Sequence, residues 1–280
     1  MPRSFPSARQ LLAQAGLRPK KRYAQNFLEN EPAARKIARL SLADAPAQMR
    51  MLEIGAGTGT LTRALLDEGA DVTAIEIDPS LVAVLRSRED LARARIVQAD
   101  ALEFDYRQWS WGARWRVAGN LPYNVATPVL MALIEMEDGP DSLTVMLQKD
   151  VADRFAAKPA TPAYGSLSIA VQYAMRVEPL LTLAPGSFFP PPKVESRVVR
   201  LVRLPTPAVR PLDPATFWKV VRGAFAYRRK TLANSLSLAL GSDRRKIVRA
   251  LELSNLSAEL RGERLDLGDF ARLADALAEE

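Results

Sequence analysis

The sequence predicts an α/β fold, in which a mostly parallel sheet with helices on both faces is followed by a small all-helical C-terminal domain. Two observations predict it. Apolar, partly β-branched stretches recur between residues 51 and 147, separated by helical or polar spacers, which is typical of a parallel sheet covered by helices. A group of prolines near residue 205 then ends this pattern, and the chain beyond it has helical apolar spacing.

The predicted strands are the apolar stretches themselves, namely Met51–Ile54, Val72–Ile77, Arg95–Val97, Trp115–Ala118 and Leu143–Leu147. Two of the spacers, residues 61–66 and 80–85, have the apolar spacing of amphipathic helices, and Pro79 suits a first helical turn. Farther along the chain, Val194–Leu204 alternates approximately between apolar and polar residues. We expect a half-exposed antiparallel edge strand there.

The domain boundary is predicted by four prolines within ten residues, which continue neither a ladder nor a helix: Pro205, Pro207, Pro211 and Pro214. Residues 217–225 and 270–277 have helical spacing. We therefore expect a catalytic domain over residues 1–204, which includes a basic N-terminal arm, and a helical domain over residues 205–280.

The composition excludes several chemistries. The 280 residues include no cysteine and no histidine, so no thiolate nucleophile, no cysteine-ligated metal and no imidazole base is available. No apolar run of about eighteen residues occurs, and no signal-peptide core follows the basic N-terminus. We expect a soluble, cytoplasmic and monomeric protein that uses no metal and no membrane.

The charge of the chain is concentrated at its two ends. The formal net charge is +7; residues 1–40 contribute nine basic and two acidic side chains, residues 41–204 contribute seventeen and twenty, and residues 205–280 contribute thirteen and ten. A neutral-to-acidic middle with basic ends fits a catalytic core whose borders hold a polyanion. The alternative interpretation is a basic arm that only aids solubility.

A glycine-rich turn, Gly55-Ala56-Gly57-Thr58-Gly59, follows the first predicted strand and permits close approach of backbone to a ligand. Its GxGxG spacing argues against the pyrophosphate of NAD or FAD. Glu76 closes the second strand 21 residues after Gly55, where an acidic side chain accepts hydrogen bonds from ribose hydroxyls.

Two further polar residues follow the next strands, Asp100 after the third and Asn120 after the fourth. The carboxyl ends of parallel strands converge on one crevice, so Gly55, Glu76, Asp100 and Asn120 are expected to line a single pocket. Asp100 there suits the adenine amino group of S-adenosylmethionine, with Ala101 beside the ring. The alternative is that the acidic residues are ordinary caps of strands and helices.

The tetrapeptide Asn120-Leu121-Pro122-Tyr123 suits methyl transfer to an exocyclic amine of a flat base. The Asn120 side-chain oxygen and the carbonyl of Leu121 or Pro122 are expected to accept its N–H groups and orient the nitrogen for in-line displacement. Tyr123 is expected to stack on the base. The alternative is a plain turn after a strand.

Two other segments are predicted to contact the RNA. The proline-stiffened segment after Phe188-Phe189 is expected to present at least one of these rings to the flipped base, the alternative being that both pack in the core. Arg228-Arg229-Lys230, on the helical domain, are predicted RNA phosphate contacts, the alternative being a solvated face.

These residues, in this order, resemble the ribosomal RNA adenine dimethyltransferases over nearly the whole chain. The matching segments are residues 25–28, 53–62, 76–78, 100–101, 120–124, 188–194 and 228–232. The resemblance implies a Rossmann-like S-adenosylmethionine-dependent methyltransferase domain. It also implies that Asn26 and Leu28 join the cofactor contacts already named. Gly57 in the glycine-rich turn and Ile77 next to Glu76 are further predicted cofactor contacts. The interpretation of Gln25–Leu28 from sequence alone, a helix start capped by Asn26, stays open.

Resemblance to the bacterial KsgA-type branch implies transfer of four methyl groups to two adjacent adenosines in the 3′-terminal hairpin of 16S rRNA, within the 30S subunit or its precursor, and a role in ribosome biogenesis. The C-terminal helices would help engage the subunit. Two departures occur: Ala24 stands where the family commonly has Gly, and Ala56 where it often has Pro.

Other functions compete with this one. A 23S rRNA adenine methylase of the macrolide-resistance type performs the same chemistry on another RNA, but it more often has Ile at the position of Leu121. A non-catalytic assembly factor with the same fold is another alternative, but the presence of both Asn120 and Glu76 argues against a loss of the chemistry. DNA adenine methyltransferases more often carry Asp or Asn followed by Pro-Pro-Tyr.

Overall fold

The computed structural model describes residues 6–110, 112–122, 125–227 and 229–278. Its strands are β1 (Phe27–Leu28), β2 (Arg50–Ile54), β3 (Asp71–Glu76), β4 (Arg95–Gln98), β5 (Trp115–Asn120), β6 (Ser142–Gln148), β7 (Met175–Leu183), β8 (Phe188–Phe189) and β9 (Ser196–Arg203). Its α-helices are α1 (Ala8–Gln14), α2 (Glu31–Ser41), α3 (Thr60–Asp67), α4 (Pro79–Ser87), α5 (Tyr106–Ser110), α6 (Ala126–Glu135), α7 (Lys149–Phe155), α8 (Ser166–Ala174), α9 (Pro214–Ala226), α10 (Leu232–Leu240), α11 (Arg244–Leu253) and α12 (Leu267–Ala278).

The central sheet has seven strands in the order β4-β3-β2-β5-β6-β9-β7. Strands β2 to β6 pair in parallel, and β9 runs antiparallel to β6. All five predicted parallel strands are confirmed within one or two residues of their predicted ends. Their side chains are mostly buried on both faces, which explains why the sequence shows continuous apolar runs rather than alternation.

The prediction for Val194–Leu204 is half right. The segment forms the antiparallel strand β9, but β9 lies between β6 and β7 and is therefore not an edge strand. Strand β7 was not predicted from the sequence, because it contains Pro179 along with charged residues. A proline lacks the ladder N–H, and an edge strand such as β7 tolerates it.

Helices cover both faces of the sheet and begin where their sequences provide caps. Asn30 caps α2 by accepting from the Ala33 N–H, and Asp78 caps α4 by accepting from the Ser80 N–H. Pro32 and Pro79 occupy the first helical turns, where no N–H partner is needed. The buried faces of α2 and α3 join β2 and β3 in a common apolar core, which fixes the carboxyl ends of these strands.

The chain forms two compact units, and their boundary differs from the predicted one at residue 204. The first unit contains the residues up to Ala152 together with Glu178–Arg203; the second contains Asp153–Val177 and the residues from Leu204 onward. Residues 153–177, predicted to belong to the catalytic domain, group with the helical unit because Tyr164 and Ile169 are buried in its core. This contact between distant chain segments has no local sequence signal.

The second unit is helical from α9 to α12, as predicted. Its core is formed by fully buried side chains such as Phe217, Leu236, Ile247 and Phe270. Tyr164 donates its hydroxyl proton to the Leu265 carbonyl at 2.8 Å, which ties the inserted segment to the C-terminal helices. Among the described residues, no helix is long and apolar enough to cross a membrane, and no group of three or more acidic side chains is arranged to hold a metal ion.

Candidate cofactor and base site

A cavity of about 290 Å³ opens at the carboxyl ends of β2 to β5. Its walls include all four residues predicted from the strand ends: Gly55, Glu76, Asp100 and Asn120. The other residues predicted to contact the cofactor also line it, namely Asn26, Leu28, Gly57, Ile77 and Ala101, and so do Leu121 and Pro122. The convergence of strand ends that the sequence analysis expected is therefore present.

The glycine-rich turn and Glu76 form one hydrogen-bonded unit. The Gly57 N–H donates to Glu76 Oε2 at 2.9 Å, and the Asp78 N–H donates to Glu76 Oε1 at 2.9 Å. Each carboxylate oxygen thus keeps a lone pair for a further donor. Burial raises the pKa of the Glu76 carboxyl, and the two backbone hydrogen bonds oppose that rise.

Gly57 is required by geometry rather than by the turn alone. Its φ is +58°, and a Cβ atom there would lie 2.9 Å from Cδ1 of Phe27. Phe27 is a buried residue of the cavity wall and packs in one apolar cluster with Leu81 of α4 and Leu12 of α1. A side chain at position 57 would therefore both strain the backbone and push Phe27 out of its packing.

Glu53 is a polar cavity residue that no sequence pattern had indicated as part of the site. It points from β2 into the cavity wall, is 1% exposed, and its Oε2 atom has no hydrogen-bond partner among the described residues. Burial, with a smaller contribution from the charge of Glu76, raises the pKa of the Glu53 carboxyl to about 8. The available signal was an acidic residue within an otherwise apolar, buried strand.

The side-chain amide of Asn120 is held in one orientation. Its Nδ2 donates to the Asn26 carbonyl at 2.7 Å, which directs the acceptor oxygen Oδ1 away from Asn26. Of the two carbonyls predicted to assist, that of Pro122 already accepts from the Val125 and Ala126 N–H groups at the start of α6. The Leu121 carbonyl is therefore the better candidate for a second acceptor. Tyr123 lies outside the described residues.

The segment before β1 forms part of the cavity wall and is anchored at Asp78. Lys20 Nζ donates to Asp78 Oδ1 at 2.7 Å, and Gln25 Nε2 donates to Asp78 Oδ2 at 3.1 Å. Burial opposes ionisation of Asp78, but these hydrogen bonds outweigh it and hold its pKa below the usual value. Gln25–Leu28 leads into β1 and starts no helix, so the interpretation of Asn26 as a helix cap is wrong.

Ala24, which stands where the family commonly has glycine, has a backbone conformation that glycine favours. It adopts the left-handed conformation, with φ +48° and ψ +38°, and its carbonyl accepts from Asn26 Nδ2 at 3.1 Å. Glycine adopts this conformation without steric cost, whereas alanine pays roughly 1 kcal/mol. The backbone shape that glycine favours is thus kept here with alanine in place.

The opposite side of the cavity is lined by Ile77, Asp100 and Ala101. Ile77 follows β3 and is 36% exposed at the cavity, so its apolar side chain is available for contact with a flat ring. Asp100 Oδ1 accepts from the Leu102 N–H at 2.9 Å, which fixes the carboxylate at the end of β4. One oxygen of Asp100 thus shapes the turn while the side chain lines the cavity.

The prediction that Phe188 or Phe189 faces the base finds no support in the cavity wall. Neither ring is among the described residues lining it. Strand β8 pairs with β1, so that Phe188 lies opposite Leu28 and Phe189 opposite Phe27. Phe188 is 3% exposed and packs in the core, whereas Phe189 is half-buried and its ring centroid lies 4.7 Å from the Arg9 guanidinium. That one of the two rings stacks on the base stays a prediction.

The predicted RNA contacts lie on the second unit, in the turn between α9 and α10. Arg229 and Lys230 are both exposed, and the Lys230 N–H donates to the Tyr227 carbonyl at 2.9 Å. Arg228 lies outside the described residues. Exposure is compatible with a phosphate contact and with the alternative of a solvated face.

The fold and the cavity define a class of protein. A parallel sheet with a GxGxG turn, an acidic residue after the second strand and a second acidic residue after the third suits a nucleoside with an amino acid tail, and the unpaired Glu53 oxygen offers a further polar contact. These features, with Asn120-Leu121-Pro122 at the same cavity, are those of an S-adenosylmethionine-dependent methyltransferase.

The comparisons with known proteins identify the family. Residues 16–276 match the model of the family described as ribosomal RNA adenine dimethylase. The chain is 42% identical over 264 residues to the Ribosomal RNA small subunit methyltransferase A of Pseudomonas aeruginosa, covering 94% of this chain and 96% of that protein. It is 40% identical over 262 residues to the protein of the same name from Hahella chejuensis, covering 93% of each. The chain belongs to the ribosomal RNA adenine dimethylase family and is an S-adenosylmethionine-dependent rRNA adenine dimethyltransferase.

Solved structures share the fold. A dimethyladenosine transferase from Plasmodium falciparum superposes with a TM-score of 0.72 at 24% identity, covering 88% of this chain and 95% of that chain. The 23S rRNA methyltransferase ErmE superposes with a TM-score of 0.70 at 24% identity, covering 90% of this chain and all of that one. At this level of identity the two superpositions show the fold and not the substrate.

Proposed function

We propose that this enzyme dimethylates N6 of two adjacent adenosines in the 3′-terminal hairpin of 16S rRNA, within the 30S subunit or its precursor, and thereby contributes to small-subunit biogenesis. The names of relatives that are 40–43% identical over more than nine-tenths of the chain support the small subunit as substrate. A substrate of this kind implies a cytoplasmic location. The large-subunit methylase and the non-catalytic assembly factor are outcomes that the experiment below separates.

The observation that carries the proposed chemistry is the fixed amide of Asn120 at the wall of the cavity. With Nδ2 donating to the Asn26 carbonyl, Oδ1 accepts one N–H of the adenine amino group, and the Leu121 carbonyl accepts the other. Two acceptors turn the nitrogen lone pair toward the methyl donor and reduce its delocalisation into the ring. Removing one such preorganised contact costs a factor of about 10²–10³ in rate.

The cofactor-binding residues have separate tasks in this proposal. S-adenosylmethionine supplies an electrophilic sulfonium methyl group when bound. Glu76 accepts from the ribose hydroxyls, Asp100 from the adenine amino group, and Ile77 with Ala101 contacts the adenine ring. The cavity wall along the rest of the cofactor is formed by Asn26, Leu28, Gly55 and Gly57. No residue has to act as a base, because N6 becomes acidic once methylated and loses its proton to water.

RNA binding is assigned to the basic ends of the chain. Arg229 and Lys230, with Arg228, are proposed to contact phosphates, and the N-terminal arm supplies further positive charge. Tyr123 is proposed to stack on the flipped adenine, and stacking by Phe188 or Phe189 on the opposite face stays a prediction. The Phe189 ring also holds the Arg9 guanidinium 4.7 Å from its centroid, a contact that stabilises the start of the arm.

The test uses labelled S-adenosylmethionine with unmethylated 30S subunits and with 50S subunits, followed by identification of the modified nucleosides. The proposal predicts N6,N6-dimethyladenosine in 30S subunits, at two adjacent positions of the 3′-terminal hairpin. Label in 50S but not in 30S subunits would overturn the substrate. Label in neither would favour a protein that retains the fold for assembly alone.

A further inference from the structure

Helix α11 carries four exposed basic side chains that the proposed RNA contacts do not include: Arg244, Arg245, Lys246 and Arg249. The helix has ten residues, and its only acidic residue is Glu252. Arg249 pairs loosely with Glu252 at 3.5 Å, with both side chains 61% exposed. Among the described residues, Arg245 and Lys246 have no acidic partner.

The position of these cations is unfavourable for the helix itself. Arg244, Arg245 and Lys246 occupy its first three positions, where the helix dipole is positive and acidic side chains are preferred. The first turn contains no acidic residue, and the N-cap Asp243 supplies the only negative charge there. Arg245 and Arg249 are also like charges at i and i+4. Local helix stability therefore does not explain this arrangement.

Packing holds the helix without help from the cations. Ile247, Ala250 and Leu251 are fully buried in the core of the second unit. By helical spacing, Arg245 and Arg249 lie opposite this buried face, and Arg244 and Lys246 lie at its two borders. Asp243 accepts from the Arg245 N–H at 2.8 Å, so the cap is made by the backbone and not by the arginine side chain. The exposed cations are thus available for a role outside folding.

One contact joins this helix to the predicted RNA surface. Arg244 Nε donates to Asn234 Oδ1 at 3.0 Å. Asn234 lies in the first turn of α10, which begins two residues after Lys230. The start of α11 is therefore connected to the part of the unit that carries Arg229 and Lys230.

We propose that Arg244, Arg245, Lys246 and Arg249 form a phosphate-binding ridge on α11, which extends the RNA contact of Arg229 and Lys230 along the second unit. The inference takes its partner, RNA, from the proposed function. All four cations are exposed, and three of them lie at the positive end of the helix dipole. Such side chains are complementary to the phosphate backbone, and a ridge of this kind adds affinity without reading sequence.

The experiment changes Arg245, Lys246 and Arg249 to Gln in the full-length protein, which leaves the Arg244 to Asn234 contact intact. A matched control changes three exposed cations elsewhere on the unit, Arg210, Lys219 and Arg272, to Gln. Binding to protein-free small-subunit rRNA and to unmethylated 30S subunits is measured across a salt series. Thermal unfolding is recorded for both variants.

The ridge variant is expected to bind both RNA targets at least tenfold more weakly at physiological salt, with a log–log salt slope reduced by roughly two to three. Its unfolding temperature is expected to be unchanged or higher, because unfavourable charge has been removed. The control variant is expected to keep a slope within about one of the wild type. An unchanged slope in the ridge variant, or a loss of binding to 30S subunits but not to free rRNA, would overturn the proposal; the second result would indicate a protein partner. Because free rRNA binding does not depend on which subunit is methylated, failure of the ridge and failure of the proposed substrate are distinguishable.

Discussion

The change Glu53→Gln tests the electrostatics of the cavity. Glu53 is buried in β2 with a pKa raised to about 8 from an unfolded value of 4.5. The native state therefore holds the proton more tightly than the unfolded chain. The resulting stabilisation is complete below about pH 4.5 and is lost as the pH rises toward 8. Gln at this position has no proton to lose, so the variant should lack this pH dependence.

The size of the effect follows from the shift. Each pKa unit corresponds to about 1.4 kcal/mol, so the wild type should lose on the order of 4 kcal/mol relative to the variant between pH 5 and pH 8. With the cofactor absent, the two proteins should have similar unfolding temperatures at pH 5, and the variant should unfold roughly 8–15 °C higher at pH 8.

Scanning calorimetry from pH 5 to pH 8 measures this difference directly. Glu103→Gln, which removes an exposed carboxyl group, serves as the matched control and should leave the difference from wild type independent of pH. Parallel pH profiles for wild type and the Glu53 variant would refute the reasoning, because they would mean that the buried carboxyl titrates as it does in the unfolded chain.

Two other changes give quantitative expectations. Glu76→Gln should weaken S-adenosylhomocysteine binding by about 10–100-fold in calorimetric titrations. The amide has a single acceptor oxygen, so its NH2 group would face one of the two N–H donors, Gly57 or Asp78. An affinity within threefold of wild type would contradict the assignment. Thermal or denaturant unfolding of Gly57→Ala and Gly69→Ala gives the second expectation. Both glycines have positive φ, but only a Cβ at position 57 meets a neighbouring side chain, that of Phe27. Gly57→Ala should therefore lower the free energy of unfolding by about 1–3 kcal/mol more than Gly69→Ala. Equal destabilisation of the two variants would show that the Phe27 side chain moves aside without a loss of stability.

The sequence predicted the parallel sheet because its evidence is local. Each strand from β2 to β6 is a short apolar run bounded by turn residues, and the rule that parallel strand ends converge then brings Gly55, Glu76, Asp100 and Asn120 to one cavity. The glycine-rich turn was predictable from the spacing of its glycines alone.

Features that depend on distant pairing were not predictable in the same way. Phe188 and Phe189 pair with Leu28 and Phe27, some 160 residues earlier, and no local pattern indicates that β1 and β8 form a small separate sheet. The grouping of residues 153–177 with the helical unit likewise depends on contacts such as Tyr164 with Leu265. Glu53 was visible in the sequence, but its importance depends on burial, which the sequence does not state.

The central claim is that the fixed amide of Asn120 orients the adenine amino group for methyl transfer. The most direct measurement is single-turnover methylation of unmethylated 30S subunits by wild type and Asn120→Ala at saturating S-adenosylmethionine, with Asn255→Ala as a control for an asparagine outside the cavity. The claim predicts a rate lower by a factor of about 10²–10³ for the Asn120 variant, with 30S binding unchanged. Methylation by that variant at the wild-type rate would contradict it.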